Sequence, residues 1–576
     1  MKIPMTHTLP IIALLASSWL HAEEPAAPLD PKTATPAKMV SFEKTLEVTG
    51  SHLLVPVSND PKGQGVRIEI RDGNNLVQSF SVSLPKEGEV FWVAAYPLDH
   101  FALKGKTIRI ATSHQSPEAL RAGFDKIRIG SASEVLAASD YTQPYRNQFH
   151  ASTRRGWVND PNGMVYAGGK YHFYYQHNPF GVKWGNMHWG HLESTDLVHW
   201  EEKPIALYQR TTGDMAFSGN GFIDVNNTAG LGKGTQFAAY TSTGRGECIA
   251  YSKDGGLTFT DLPENPVVKH NGRDPFVFWY EPEQKWVMAV FDMTACAETD
   301  AVPISDKNPQ IAAKNVAFYE SKNLRQWTRT GAFTDPERGT LNECPVMFEL
   351  PVVGKPGQSR WILHGAPNKY FIGQFDGKTF KKESGPLGST HGAFYAAQTF
   401  SDVPDGRRIQ IGWLRNNDNY LKQFPDLITN QAFTLPHELT LREIPQGLRV
   451  FYWPVKELEQ LRGEVLAEGK DLTVEKANEL LQKCQGELSE TLIEFSEAGR
   501  KQLVINGIDA TFSGRSARIF TDRTVNETYA DEGISYEVRN RPPTLFNSTE
   551  TQLKLAGGTV SSLKIYRLKS IWEKTK

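Results

Sequence analysis

The sequence predicts an all-β protein: a five-bladed β-propeller followed by a C-terminal β-sandwich, with an additional β-rich domain at the N-terminus. Three observations carry this expectation. Between about residues 148 and 441, a short polar or acidic motif followed by strand-like runs occurs five times, marked by Asp160, Ser218, Asp274, Glu343 and Phe394 at spacings of 58, 56, 69 and 51. A second motif recurs out of phase with the first. Ser194 to Trp200 (STDLVHW) matches Ser321 to Trp327 (SKNLRQW), with weaker echoes near Ser252 and Phe375. The flanking regions alternate apolar and polar residues between Gly, Pro and Asn punctuation, the pattern of short antiparallel strands. A repeat of about 50–70 residues holding about four strands is characteristic of propeller blades. A β-sandwich with accidental spacing does not account for two interleaved motifs.

The elements follow in chain order. At 576 residues, and roughly 150 residues per domain, three or four domains are expected. Residues 1–22 read as an export signal, with Lys2, an apolar stretch from Leu9 to Leu20, and Ala22 before the cut. The stretch falls short of the roughly 20 residues needed to cross a bilayer. Residues 23–38 are a Pro/Ala-rich linker with no face to bury. Residues 39–142 contain successive short strand patterns and no chemical constellation, so a passive or sugar-binding accessory module is expected. The repeats fill 143–453. Within 454–576, Val455 to Gly463 reads as a short helical connector, and strand-like runs then form a second β layer.

Composition excludes several functions. With 63 Lys+Arg against 65 Asp+Glu, the net charge is −2, which lacks the basic excess of nucleic-acid binders. No later segment is long and apolar enough for membrane insertion. Cys248, Cys296, Cys344 and Cys484 form no CxxC pair and have no His at metal-ligand spacing, so neither a zinc site nor a disulfide framework is expected. No metal and no cofactor are anticipated. The sequence sets no oligomeric state.

Equivalent starts of the innermost propeller strands surround one end of the central channel. Asp160, Asp274 and Glu343 are therefore expected in one funnel although they are far apart in the chain. By itself Asp160 in Asp-Pro-Asn-Gly would be a turn residue; its phase match with the other two reverses that reading. Three acids without metal ligands suit glycoside cleavage through an oxocarbenium-like transition state. A general acid must retain its proton near neutrality, which neighbouring negative charge favours. Glu343, the longest of the three, is the expected acid/base. Asp160, in a turn rich in backbone donors, is the expected nucleophile, and Asp274, beside Arg273, is expected to stay charged and to hold sugar hydroxyls. Cys344 reads as a packed neutral thiol, His188 and His191 as pocket-orienting or packed residues, and Asp196 and His199 as structural.

These motifs also carry a resemblance. Trp157-Val158-Asn159-Asp160-Pro161-Asn162-Gly163, Arg273-Asp274-Pro275 and Glu343-Cys344-Pro345 resemble the three signature motifs of glycoside hydrolase family 32, the β-fructosidases. Gln176, the segment Trp184 to His191 (WGNMHWGH) and Phe217-Ser218-Gly219 match as well. The resemblance spans about residues 145–576. The N-terminal module is similar to an extra domain on some bacterial levanase-type members. It implies a propeller plus sandwich that hydrolyses terminal β-D-fructofuranosides of fructan or sucrose with retention. Asp160 would be nucleophile, Glu343 acid/base and Asp274 transition-state stabiliser. Asn159, Gln176, Trp184, Phe217, Ser218, Arg273 and Trp413 would line the fructose subsite. Asn220 departs from the Ser common after Phe-Ser-Gly, with a modest effect on binding expected. Competing readings are a propeller enzyme acting on another furanoside such as arabinan, a non-catalytic carbohydrate-binding propeller, and fructosyl transfer to sugar instead of water.

Overall fold

The computed structural model describes residues 40–58, 65–86, 89–114, 118–293, 315–334, 340–388, 390–416, 419–555 and 558–572. The expected export signal, the linker and Cys296 lie outside the described residues.

The second sequence repeat has a local cause. Asp196 Oδ1 accepts from the backbone N–H groups of Val198 and His199 at 3.0 and 2.9 Å. Asn323 Oδ1 does the same for Arg325 and Gln326, both at 3.0 Å. Asp376 Oδ1 binds the amides of Lys378 and Thr379 at 2.9 and 2.7 Å, and Asp254 Oδ1 that of Thr258 at 2.9 Å. Each carboxylate or amide satisfies the backbone of a tight reversal. All four reversals join the third and fourth strands of successive antiparallel sheets.

Five such sheets follow one another. The first runs Gly156–Ala167, Lys170–Asn178, His188–Ser194 and Glu201–Leu207. The second contains Gly221–Asp224, Thr235–Ser242, Gly246–Ser252 and Thr260–Asp261. The third contains Gly272–Tyr280, Lys285–Asp292, Asn315–Ser321 and Thr328–Thr334. The fourth contains Val346–Pro351, Ser359–His364, Tyr370–Phe375 and Phe380–Leu387. The fifth is built on Phe394–Thr399, Arg408–Leu414, His437–Ile444 and Gly447–Pro454. Thr429–Asn430 leaves the fifth unit to pair in parallel with Gly156 and Trp157 of the first.

The leading strands also touch one another. Gly163 N donates to Gly219 O at 3.0 Å, and Ser401 N to Met164 O at 3.0 Å. The Asn220 amide grips the Val277 backbone, accepting from its N–H at 2.7 Å and donating to its carbonyl at 2.8 Å. Asn220 is 1% exposed, so the residue that departs from the family pattern joins the second and third sheets. Gly219 is required because a Cβ there would lie 1.9 Å from the Ala239 carbonyl oxygen.

Two further β regions flank this body. On the N-terminal side, a four-stranded sheet (Val40–Glu47, Val66–Asp72, Asn75–Val82, Thr107–His114) and a three-stranded one (His52–Val57, Trp92–Pro97, Arg128–Gly130) share a core that includes Ile68, Phe80, Tyr96 and Phe124. This core also takes in Ile205 of the first large sheet, Tyr208 just after its last strand, and Phe180 between its second and third strands. One helix, Glu118–Asp125, interrupts the expected all-β pattern. Leu120 and Phe124, four residues apart, bury one side of it. On the C-terminal side, the connector forms a 3-10 turn at Lys456–Leu461. A seven-stranded sheet and a smaller one at Arg500–Ile505 share a second core with the helix Val474–Leu481, which the strand patterns did not reveal. Thr473 caps that helix by accepting from Lys476 N.

One buried ionic cluster ties the C-terminal sheet to the start of the five-sheet body. His150 Nδ1 meets Asp522 Oδ2 at 2.8 Å and Nε2 meets Glu527 Oε1 at 3.0 Å, with all three side chains fully buried. Burial opposes the charge on His150, but the two carboxylates outweigh it and raise the imidazole to about 9. Asp522 and Glu527 are lowered despite their own burial, chiefly by hydrogen bonds from His150. The raised His contributes stability fully below its ordinary 6.5 and loses it as pH climbs toward about 9. The depressed acids lose theirs as pH falls below their ordinary range near 4. Thermal stability is therefore expected to peak between about pH 4.5 and 6.5. Replacing His150 with Ala should cost about 3–5 kcal/mol, because two buried carboxylates lose their cation. Melting curves across pH 4 to 9 check both statements, and a pH-independent Tm difference between variant and wild type would refute the linkage.

Candidate active site

Backbone irregularity aims the acidic side chains. Asp160 lies inside the strand Gly156–Ala167, not in the turn its Asp-Pro-Asn-Gly context predicts. The pairing of that strand with Lys170–Asn178 slips between Val158 and Pro161, and again between Asn162 and Val165. Asp274 sits in a similar slip between Arg273 and Phe276. Both slips contain a proline, which has no N–H for the ladder, so the strand bulges and re-aims its neighbour. Asp274 itself takes a left-handed φ of +66°, and Cys344 one of +47°. Non-glycine residues adopt this region only where surrounding contacts hold them.

Those bulges bring three distant carboxyl groups around one thiol. Cys344 Sγ lies 3.6 Å from Asp160 Oδ2 and 3.6 Å from Asp274 Oδ2, so the two aspartates are no more than twice that distance apart. The Cys344 backbone N–H donates to Asp274 Oδ2 at 3.0 Å. Glu343, the preceding residue, accepts from Arg273 Nη2 at 2.7 Å and from Tyr395 Oη at 2.6 Å. The Arg273 Nε is 3.5 Å from Asp274 Oδ2, so one guanidinium spans two of the three acids. Ser218 Oγ donates to Asp160 Oδ2 at 2.6 Å. The site therefore holds three carboxyl groups and one guanidinium.

Electrostatics follow from burial and crowding. Burial, then repulsion from Glu343, raises Asp160 to about 6, against hydrogen bonds from Ser218, Asn159 and Cys344 that lower it. Asp274 rises further, to about 8, first through burial; Arg273 opposes the rise, while Glu343 and Asp160 add to it. The expectation that Arg273 keeps Asp274 fully charged is corrected: the closer Arg273 contact goes to Glu343, and burial dominates. Asp274 therefore retains its proton near neutrality. Burial and the neighbouring carboxylates hold the Cys344 thiol well above its ordinary range, so it is a neutral donor, as its lack of a base partner implied.

The residues expected to line the pocket fall in two groups. Asn159 and Ser218 are buried and hydrogen-bond Asp160, and Asn159 also accepts from Trp157 Nε1 at 2.9 Å; Gln176, likewise buried, donates through Nε2 to Ala216 O at 2.9 Å. Phe217, Trp184 and Trp413 are the aromatic residues expected at the pocket margins. The Trp184 ring meets Phe217 edge-on at 6.0 Å and is 52% exposed. Trp413 packs against Tyr395 at 6.0 Å and against Trp157 at 6.1 Å.

Tyr395 and Thr241 were missed by sequence reasoning. Thr241 Oγ1 accepts from Asp274 N at 2.8 Å and donates to Glu247 at 2.7 Å, which fixes the bulge. Tyr395 lay within reach of the fifth repeat, whose marker was set one residue early. Phe394 is 6% exposed and packs on His437 and Tyr536, whereas the next residue bonds Glu343. Adjacent strand residues face opposite sides, so a one-residue offset exchanges core for site.

His188 and His191 do not join the acids; both are fully buried and neutralised by burial. Among the described residues, His172, His191 and Glu193 have ligand atoms within 4.8 Å of one another. Lys170 and Lys203 lie 2.8 and 3.5 Å from Glu193, opposing a further cation there. The cluster is a hydrogen-bonded stack instead, with His172 Nδ1 at 3.1 Å from His191 Nε2.

Sheets that converge three carboxyl groups and an arginine form the kind of arrangement on which glycosidases rely. Residues 150–454 match the family model described as glycosyl hydrolases family 32 N-terminal domain, and the chain belongs to that family. It is 37% identical over 447 residues to a levanase of Bacillus subtilis, covering 70% of this chain and 62% of the relative. An extracellular exo-inulinase of Aspergillus niger is 34% identical over 374 residues, covering 55% of this chain and 66% of the relative. The chain thus spans a little under two thirds of the length of these relatives. A crystal structure of exo-inulinase from Aspergillus awamori superposes with a TM-score of 0.59 at 26% identity, covering 75% of this chain and all of that one. A fructofuranosidase of Schwanniomyces occidentalis bound to fructose gives a TM-score of 0.59 at 22% identity, over 76% of this chain and 100% of the other.

Proposed function

We propose that this protein is an exported, exo-acting β-fructosidase that hydrolyses terminal β-D-fructofuranosyl residues of a fructan, with sucrose as a secondary substrate, through a retaining double displacement. The observation that carries the reading is the convergence of Asp160, Asp274 and Glu343 about Cys344 and Arg273. We read 143–453 as a closed five-bladed catalytic propeller, 454–576 as its sandwich and 39–142 as an accessory domain. The lateral contacts of the leading strands and the return of Thr429–Asn430 to the first sheet support that reading. Export is supported by the 1–22 leader pattern and by relatives named extracellular.

In this mechanism Asp160 attacks the anomeric carbon while Ser218 and Asn159 orient its carboxylate. Glu343, held between Arg273 and Tyr395, gives a proton to the leaving oxygen and then takes one from water. Asp274 hydrogen-bonds sugar hydroxyls, and the Asp160 carboxylate offsets the positive charge that develops on the ring. The aromatic margins Trp184, Phe217 and Trp413 pack on the apolar faces of the sugar.

Incubating the purified protein with levan, inulin and sucrose, and resolving products over time, tests the proposal. Free fructose from the first minutes, without an oligosaccharide ladder, is the expected result. A ladder would replace exo with endo cleavage, fructose-extended oligosaccharides would indicate transfer, and no turnover of any fructoside would remove the reading. Release of arabinose from arabinan would favour the other-furanoside alternative.

A further inference from the structure

The loop from Asn178 to His188 carries Trp184, and its anchors come from two directions. On the side of the five-sheet body, Asn178 Nδ2 donates to Lys183 O at 2.8 Å and Asn430 Nδ2 to Val182 O at 2.9 Å. The other anchors belong to the N-terminal module. Ser81 N donates to Asn186 Oδ1 at 2.8 Å, and Asn186 Nδ2 returns a bond to Ser81 O at 2.8 Å. The same Nδ2 reaches Asn178 Oδ1 at 3.0 Å, which joins the two sets of anchors.

This contact is specific to backbone and shape. Asn75–Val82 is an edge strand of its sheet, and at Ser81 it presents both backbone polar groups outward. A primary amide with one acceptor and two donors is the side chain that matches such an edge. Asn186 holds a left-handed φ of +44°, a conformation that asparagine tolerates better than most residues. Beside it, Phe80 stacks on Phe180 of the loop with ring centroids 3.8 Å apart. Tyr96 Oη lies 3.1 Å from His188 Nε2. His188 Nδ1 faces the Asn186 carbonyl, which can only accept, so Nδ1 carries the proton and Nε2 accepts from the tyrosine. Three contacts from one module therefore fix both ends of the loop, while Trp184 at its tip is half exposed and meets the Phe217 ring.

We propose that the N-terminal module is a positioning element for substrate recognition: through Ser81, Phe80 and Tyr96 it sets the Asn178–His188 loop so that Trp184 forms one wall of the carboxylate pocket. The sugar it helps to hold is the fructan unit next to the bond that is cleaved. This rests on the fructosidase reading above. Ser81 is a positioning residue, because it acts through the loop and touches no reacting atom.

Ser81→Pro removes the N–H donor at an edge position where the sheet ladder does not use it. The variant is expected to raise KM for fructan about fivefold with kcat within about twofold, the effect of one lost hydrogen bond expressed through position alone. In a Trp184→Ala background, Ser81→Pro should add nothing further, since the wall it positions is gone. Amide exchange of residues 179–187 should speed up in Ser81→Pro, a readout that does not depend on turnover. Asn186→Ala, which leaves the N-terminal module intact, provides a second variant with the same expected pattern if Ser81→Pro does not fold. Equal losses of kcat on all substrates, additivity with Trp184→Ala, or unchanged exchange of the loop would overturn the proposal. Absence of any fructoside hydrolysis by the wild type would instead refute the fructosidase reading, with the exchange result still standing.

Discussion

Replacing Asp160 with Asn is expected to lower kcat roughly ten-thousandfold or more while leaving the fold intact, the size seen when a covalent nucleophile is neutralised. That loss equals about 5.5 kcal/mol of transition-state stabilisation. The substitution is nearly isosteric, and the Ser218 hydroxyl can still donate to the Asn side-chain oxygen. Stability should move the other way. Asp160 is raised to about 6 by burial and by Glu343, so its ionised form above that pH is held at a cost against the unfolded chain. A neutral amide removes that cost, and Tm should be equal to or above that of the wild type near neutral pH. Such an exchange of stability for activity is common at active sites. Near-normal turnover, or a Tm several degrees lower, would reject the assignment.

Replacing Glu343 with Gln should produce the second large effect, and one that depends on the leaving group. A fructan or sucrose leaving group needs a proton, so kcat/KM should fall by about a thousandfold, within the range attributed to general acid–base catalysis. A nitrophenyl β-fructofuranoside departs without help, so its first step should lose tenfold or less by the same reasoning. Its second step still needs a base to activate water, and a burst of nitrophenol followed by slow turnover is expected. Stopped-flow measurement of that burst checks the role. An equal loss for both substrates, without a burst, would mean that Glu343 supports the site through Arg273 and Tyr395 and not through its proton.

Much of this architecture was legible in the sequence because its causes are local. Asx-type turns at Asp196, Asp254, Asn323 and Asp376 need only a side-chain oxygen near its own backbone, so their recurrence is visible as a repeat. Period-two patterns mark strands for the same reason. The bulges were not legible in this way, because Asp160-Pro161 reads as a turn until the strand pairing shows the slip. Residues whose roles arise from neighbours distant in sequence were less visible. Tyr395 follows a core phenylalanine and is distinguished only by what stands across from it. Thr241 is one threonine among many until Asp274 arrives on an adjacent sheet. The helices Glu118–Asp125 and Val474–Leu481 are too short for their periodicity to stand out within strand-rich surroundings.

By itself the sequence determined the β class, the five-fold recurrence and the identity of the three acids, because turn chemistry and strand alternation act over a few residues. Only the tertiary structure decided how those acids share protons and partners. The pairing of Arg273 with Glu343, the thiol between the two aspartates and the burial that raises Asp274 all depend on groups tens to hundreds of residues apart. The same holds for the edge of the N-terminal sheet at Ser81, whose unpaired backbone became a grip on the Trp184 loop once Asn186 was folded against it.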